Sequence, residues 1–528
     1  MLVANGVDGD SRVQKIAWSA AAAGWDVTLI GRAPADEAQR YRLGAANVVL
    51  VPVPKVVSDY EKARIHRSAL TRSGRDTYRE ARAALALRDA AAARTARRRA
   101  LAGSTAAARA WLAHNPQADR VIALLGRGPL GGTVRKALAS AAGLADPNGG
   151  WRSFNPWFAD LETAMAPVVK ELNPDLIHAH DFHMVGLGAR LAATLGTPDH
   201  PVHWLYDAHE YLAGIEVPTA GDVRARLRRR MLIGVEREYI GAADAVVTVS
   251  EGIATRLQED HRLKARPLVI LNAPVIAEPT AATKAATAAA AATAVAAAPE
   301  TDAPPRRLRD EIGLTEDVPL LLYSGGMSPR RGVSTVIDAL PKLPEAHLAL
   351  IARDDDPDIP ALRRRAEDRK VADRVHVRPY VPVDQITAYI ASATIGLIPI
   401  VHRPNHELSL ITKYFEYLHA RLPIVTSDVR EMAAETKRLG VGEVFTAEDP
   451  ASLAQAVRKV LADLARYRAV YDAPGDPRTS SSWAAQAAKL SDLYQRLIGR
   501  PPGPAVTPGP LRLVPVEVEA EAKAEEAE

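Results

Sequence analysis

Short runs of four to six largely apolar residues recur along this chain, each bounded by a stretch of helical composition. That alternation limits its fold more than any other feature. In the first half the runs are Trp25–Ile30, Asp175–Ala179, His203–Tyr206 and Ala245–Val249. In the second half they are Leu320–Tyr323, His347–Ile351, Arg374–Val377, Ile395–Pro399 and Pro423–Thr426. Strands with little apolar–polar alternation, separated by helices, predict parallel sheets covered on both faces. The expected fold class is α/β, as two Rossmann-like, doubly wound parallel-sheet lobes. In such sheets ligands bind beyond the carboxyl ends of the strands, and a cleft between two lobes is the default site.

Composition divides the chain further. Residues 61–140 carry seventeen Lys/Arg against five Asp/Glu, in Ala-rich runs that read as helix. Residues 279–306 are Ala/Thr/Pro-rich and too poor in large apolar side chains to form a core, so they read as a linker. From residue 501 the chain turns Pro/Gly-rich and then acidic, the composition of a disordered tail. The expected organisation is therefore a first lobe over 1–278 with a basic helical insertion at 61–145, and the linker at 279–306. A second lobe over 307–477, a closing helix at 478–500 and a tail at 501–528 complete it. The 528 residues include no cysteine, which excludes disulfides, thiolate metal sites and a cysteine nucleophile. A net charge of +4 is small for this length and does not point to a nucleic-acid partner. The first residues lack a charged segment followed by an apolar one, and Ala285–Ala298 is too poor in large apolar residues to span a bilayer, so the expectation is a cytoplasmic protein.

Two motifs carry chemistry. After the run Leu320–Tyr323 comes Ser324-Gly325-Gly326-Met327-Ser328-Pro329-Arg330-Arg331-Gly332, followed by a helical stretch, Val333–Leu340. Glycines at a strand-to-helix turn let backbone N–H groups approach an anion, and Arg331 can add a bidentate grip on a diphosphate. The plainer alternative is a tight turn with a solvated arginine pair. The second motif is Asn405–Leu418, with Ser409 or Thr412 as a helix cap and Lys413 and Glu416 three apart on one face. A carboxylate there can hold ribose hydroxyls, while the plainer alternative is a surface ion pair.

Together these segments resemble the donor-binding half of the family-4 glycosyltransferases with the two-Rossmann (GT-B) fold. The first lobe is similar to that family in its Gly9–Lys15, His178-Ala179-His180-Asp181, Tyr206–Glu210 and Ala242–Glu251 segments, in that order. Val269–Asn272 resembles the crossover, and Trp483 through Tyr494 resembles the last helix, which in the family returns to the first lobe. The resemblance implies a transferase moving a sugar, with retention, from a nucleoside-diphosphate sugar to an acceptor hydroxyl, with no other cofactor and no metal. It implies that Gly325, Gly326 and Arg331 hold the diphosphate with Lys413 and Ser409 alongside, that Glu416 holds the ribose, and that the backbone around Tyr380 meets the base. His209 matches the histidine facing the donor sugar. Asn5, Gly6, Asp10, His180 and Glu210 fall on the acceptor side. Arg331, Lys413 and His209 are the residues the reaction depends on.

One departure stands out. The family's acidic pair is two glutamates, and counting back from Glu416 the first falls on Leu408, with Glu407 one place early. His178–His183 is similar to a zinc-hydrolase run, but its aspartate is one position early and no second ligand cluster accompanies it. Asp354-Asp355-Asp356 reads as a polar turn rather than a metal-binding pair. The arginines at 64–99 and at Arg224, Arg226, Arg228, Arg229 and Arg230 raise peripheral contact with an anionic membrane, against a solvated helix surface. A sugar-nucleotide epimerase, a non-catalytic polyanion- or membrane-binding module and a chelator-sensitive hydrolase are the rival functions.

Overall fold

The computed structural model describes residues 1–60, 72–99, 155–216, 222–275, 307–381 and 385–516. The Ala/Thr linker, most of the basic insertion and the acidic end lie outside the described residues. The chain divides into two compact units, Met1–Ile270 with Lys489–Glu528, and Leu271–Ala488.

In the first unit, helix α1 (Ser11–Ala22) is followed by strands β1 (Thr28–Arg32), β2 (Gln39–Leu43) and β3 (Ala46–Val51). Helices α2 (Arg72–Arg99) and α3 (Trp157–Leu172) lead to β4 (Leu176–His180), α4 (Asp181–Leu195) and β5 (His203–Ala208). Helix α5 (Val223–Tyr239), β6 (Ala245–Thr248), α6 (Glu251–His261) and the short β7 (Leu268–Val269) complete the series. β1 pairs with β3, and β4, β5, β6 and β7 pair in turn, all parallel. The two groups are joined by Leu2, which bridges Ile30 on one side and Ala179 on the other. The strand order is therefore β3-β1-Leu2-β4-β5-β6-β7, with the chain winding outward in both directions from Leu2. The carboxyl end of the Leu2 segment and that of β4 flank this switch point, where doubly wound sheets place their ligands.

The second unit holds β8 (Leu320–Ser324), α7 (Val333–Ala339), β9 (His347–Ile351), α8 (Ile359–Asp368), β10 (Val375–Arg378) and β11 (Ile395–Ile398). It continues with α9 (Thr412–His419), β12 (Ile424–Ser427), α10 (Arg430–Leu439), β13 (Gly442–Phe445) and α11 (Pro450–Ala462). Its six parallel strands run in the order β10-β9-β8-β11-β12-β13, with the switch point between β8 and β11. Because side chains alternate along a strand, Leu321 and Tyr323 enter the core under α7, α8 and α11, and Leu320 and Leu322 enter the opposite core under α9. Both faces are thus buried, which explains the near-continuous apolar runs.

Helix α12 (Trp483–Ile498) begins in the second unit, and its residues from Lys489 onward belong to the first. There Tyr494 packs edge-on to Trp25 and exchanges a 2.7 Å hydrogen bond with His178, and Trp25 donates to Ser491. The expectation of a disordered tail fails for residues 501–516. This segment runs along the first unit and ends in β14 (Leu513–Pro515), antiparallel to β2. Gly24 has φ of +95°, and a Cβ there would fall 2.1 Å from the carbonyl oxygen of Gly503, so only glycine permits this approach. The hairpin β2–β3 and β14 went unread in the sequence because β2 alternates exposed Arg40 and Arg42 with Tyr41, and the edge strand β14 sits among prolines.

Candidate functional site

In the second unit the residues after β8 and β11 converge at the switch point. Gly325 has φ of +122°, and a Cβ there would lie 2.9 Å from the ammonium nitrogen of Lys413. The glycine is required by conformation and by proximity together. Its amide donates to Ile351 at 2.9 Å, extending the β8–β9 pairing, so it is spent inside the sheet and does not serve an anion as the motif suggested. Gly326 is exposed, with open space where a side chain would stand. Asp356 accepts from the amide of Met327 at 3.1 Å and of Asp358 at 3.0 Å. This acidic turn anchors the glycine loop. Gly332, with φ of +70°, abuts the carbonyl of Pro399 and ties that loop to the end of β11.

Lys413 turns inward. Its ammonium donates to the Tyr323 hydroxyl at 3.0 Å and lies 4.1 Å from the centre of that ring. Burial, followed by the charge of Arg331, brings its pKa down to about 7, against the partial support of Glu416. The Tyr323 hydroxyl, raised by burial, donates in turn to the carbonyl of Gly326 at 2.9 Å. The field of Arg331 also reaches Tyr380 and His406, and that of Glu416 reaches Tyr380, so these groups share one end of the sheet. Among the described residues the Arg331 guanidinium makes no hydrogen bond or ion pair. Tyr380 is 47% exposed at the end of β10.

Neither proposed cap serves α9. Ser409 donates to the carbonyl of Asn405 at 2.6 Å, and Thr412 accepts from the side chain of Asn272 at 2.9 Å. Glu407, the displaced member of the acidic pair, is committed elsewhere. It accepts from the amide of Arg430 at 2.9 Å, at the start of α10, and pairs at 2.6 Å with His402, which itself reaches Asp428 at 2.9 Å. Leu408 is buried.

In the first unit the centre is a buried ion pair that sequence reasoning missed. Arg12 grips Asp207 through Nε at 2.9 Å and Nη2 at 2.8 Å, and its Nη1 donates to Ile270 at 2.7 Å. Three histidines surround Asp207: His180 Nδ1 at 3.2 Å, His209 Nε2 at 3.4 Å and His178 Nε2 at 3.7 Å. Burial disfavours the Asp207 charge, yet Arg12 and then the histidines hold its pKa well below the usual carboxylate range. Burial lowers His178 and His180, whereas Asp207 raises His209 in spite of burial. His180 is wholly enclosed, so it positions Asp207 and does not reach an acceptor. His178, His180 and Asp207 bring ligand atoms within 4.8 Å of one another. Both carboxylate oxygens already face the Arg12 guanidinium, so a cation placed there would meet a fixed positive charge.

Asp10 caps α1 by accepting from Val13 at 3.2 Å and also accepts from the Asn5 side-chain amide at 2.8 Å, and Asn5 Oδ1 accepts from the amide of Val7. Asn5, Gly6 and Asp10 follow the Leu2 segment at the switch point, and His209 follows β5, two strands across the sheet. Glu210 is exposed just beyond His209. The sequence signal for Arg12 and Asp207 was present, since each lies inside a segment of family resemblance, but nothing local pairs residues 195 apart.

Two doubly wound α/β units, the second with glycines and cations at its switch point, define the class of two-lobed Rossmann-like proteins. The glycosyl transferases group 1 model matches residues 318–463, and the glycosyltransferase family 4 model matches 120–277, together more than half of the chain. The chain belongs to the family-4 glycosyltransferases of the GT-B fold. It is 26% identical over 279 residues to alpha-maltose-1-phosphate synthase of Mycolicibacterium smegmatis, covering 50% of this chain and 66% of that protein. It is 25% identical over 302 residues to D-inositol 3-phosphate glycosyltransferase of Acidothermus cellulolyticus, covering 54% and 59%. The chain thus spans two thirds or less of the curated relatives it matches. Sucrose-phosphate synthase from Thermosynechococcus elongatus shares the fold, with a TM-score of 0.57 over 92% of this chain and 93% of that one at 16% identity. Among the described residues no helix is long and apolar enough to cross a membrane.

Proposed function

We propose that this protein transfers a sugar from a nucleoside-diphosphate sugar to a hydroxyl of an acceptor. The observation that carries this reading is the convergence of Gly325, Gly326, Arg331 and the buried Lys413 at the switch point of the second unit. As the glycosidic bond to phosphate breaks, negative charge grows on the leaving diphosphate, and fixed cations stabilise that charge. Arg331 and Lys413 supply them, while Glu416 accepts from the ribose hydroxyls and the Tyr380 segment meets the base. Asp207, held ionised by Arg12, orients His209, the residue of the first unit assigned to the sugar. With Glu407 withdrawn, other groups must read the sugar hydroxyls. Transfer of a hexose with retention, at the cytoplasmic face, in the synthesis of cell-envelope polysaccharide, glycolipid or glycoconjugate is the finer form of the reading. Exposed Arg226, Arg228, Arg230 and Arg237 on α5 suit peripheral contact with anionic lipid, which added salt would weaken.

A thermal-shift screen against UDP, GDP, ADP and their sugars tests the proposal, repeated with Arg331→Ala and Glu416→Ala. A ligand at about 100 times its Kd adds about 2.7 kcal/mol of stability. One nucleotide should stabilise the wild type, and both variants should lose the response. No shift with any nucleotide at millimolar concentration would refute the reading. An epimerase would instead convert the free donor sugar in the absence of any acceptor.

A further inference from the structure

Asp207 has more donors around it than lone pairs to receive them. Its Oδ1 accepts from Arg12 Nη2 at 2.8 Å. Its Oδ2 faces Arg12 Nε at 2.9 Å, His180 Nδ1 at 3.2 Å, His209 Nε2 at 3.4 Å and His178 Nε2 at 3.7 Å. One carboxylate oxygen offers about two acceptor sites. Arg12 and His180 fill them at hydrogen-bond distance, and Nε2 of both His178 and His209 is buried without a hydrogen-bond partner. How strongly Asp207 holds His209 therefore depends on where the competing ring of His178 is fixed.

That ring is fixed from α12. Nδ1 of His178 lies 2.7 Å from the hydroxyl of Tyr494, and the ring stacks on His180 at 3.9 Å. Burial favours the neutral imidazole. An ionised carboxylate only accepts, so the one ring hydrogen of His178 stands on Nε2, toward Asp207; Nδ1 is the acceptor and Tyr494 donates. Donation to Nδ1 also polarises the ring and makes its Nε2–H the better donor. Tyr494 is buried in turn, edge-on to Trp25 at 6.0 Å, and the Trp25 indole bonds Ser491 one turn earlier in the helix. Charges on Arg12 and the Met1 ammonium also reach His178, and those on Arg12 and Asp181 reach His209. A tyrosine and two imidazoles on core-facing positions cost free energy that apolar residues would not, unless their polar atoms have work to do.

Resting on the transferase reading above, which assigns His209 to the sugar, we propose that Tyr494 and His178 are positioning residues for His209. Tyr494 sets the tautomer and place of His178, His178 shares Oδ2 of Asp207 with His209, and the pair thereby sets how firmly His209 is held and how readily it takes a proton. Neither residue touches the substrate; both act through Asp207.

The test uses the full chain with isotope-labelled histidine, its ring signals assigned through His178→Gln and His209→Gln. Proton–nitrogen correlation spectra should show the His178 hydrogen on Nε2; a hydrogen on Nδ1 overturns the inference. His178→Leu removes a donor from Oδ2 and should raise the pKa of His209 by at least about half a unit, roughly a threefold gain in proton affinity. Tyr494→Phe should shift it the same way by a smaller amount, and His178→Gln, whose amide N–H can still face Oδ2, should keep it nearest the wild type. In the His178→Leu background the Tyr494→Phe shift should vanish, because the effect runs through His178. A shift of undiminished size there, or no shift in Tyr494→Phe alone, overturns the inference. Should His178→Leu not fold, the tautomer and Tyr494→Phe decide by themselves. Titration of the same samples with UDP, GDP and ADP keeps the two readings apart: a protein that binds no nucleotide overturns the transferase reading, whereas the His209 titration judges the relay.

Discussion

Lys413 couples nucleotide binding to proton uptake, and the size of the effect can be worked out. Its pKa is about 7 because burial and the charge of Arg331 penalise the ammonium form. A diphosphate beside Nζ supplies the missing counter-charge and returns the group toward the ordinary lysine value of about 10.4. Between these values the bound state holds one more proton than the free state, so binding weakens as pH rises. With those two pKa values, linkage gives about 0.9 proton taken up per nucleotide at pH 8, and an affinity about 20-fold weaker at pH 9 than at pH 7.5. The phosphates themselves, with a second pKa near 6, are already fully ionised across that range and contribute little slope. Tyr323 does not titrate there either, since burial raises it. Isothermal titration calorimetry in buffers of different ionisation enthalpy measures the proton count directly. Lys413→Met should bind more weakly at pH 7.5 and show no pH dependence. Proton release on binding, or a slope unchanged in Lys413→Met, would refute the reasoning.

Three further outcomes are expected. In the ligand-free protein the same lysine lowers stability, because below pH 7 its buried ammonium is charged in both states and its cost is fully present. That cost, on the order of 5 kcal/mol, is relieved as pH rises toward 10.5, so the stability advantage of Lys413→Met in urea unfolding should shrink over that window. Arg12→Ala leaves Asp207 buried without its partner and should cost about 3–5 kcal/mol by denaturant unfolding, more than Asp207→Asn/Arg12→Met together. Gly325→Ala sets a methyl 2.9 Å from Lys413 Nζ at a φ alanine rarely adopts, so nucleotide affinity should fall at least about tenfold by calorimetry while the strand β8 core persists.

The alternation of apolar runs and helices was enough to predict two parallel α/β units and nine of their strands, because a strand buried on both faces has no freedom to be polar. The glycine loop after β8 was legible for a similar local reason: a strand-to-helix turn this tight admits few residues. Strand ends were displaced by up to three residues, as with Trp25–Ile30 against the observed Thr28–Arg32, since hydrogen bonding to neighbours sets where a strand stops. β2 escaped notice because Arg40 and Arg42 keep one of its faces wet, and its edge neighbour β14 because it is three largely exposed residues ending in a proline.

What only the tertiary structure decided concerns burial and long-range partners. In the sequence Lys413 and Glu416 read as a surface pair. Packing of α9 over β11 and β12 instead buries the lysine against Tyr323, ninety residues away in the chain, and so changes its protonation. His180 and Asp181 are adjacent in the sequence, yet the end of β4 turns the histidine inward onto Asp207 and the aspartate outward to His183. The amino-acid sequence by itself determined which residue types stand at the carboxyl ends of the strands. Which of them face a ligand, and with what charge, was left to contacts between distant segments, because solvation and pairing are properties of the packed molecule and not of any local stretch of chain.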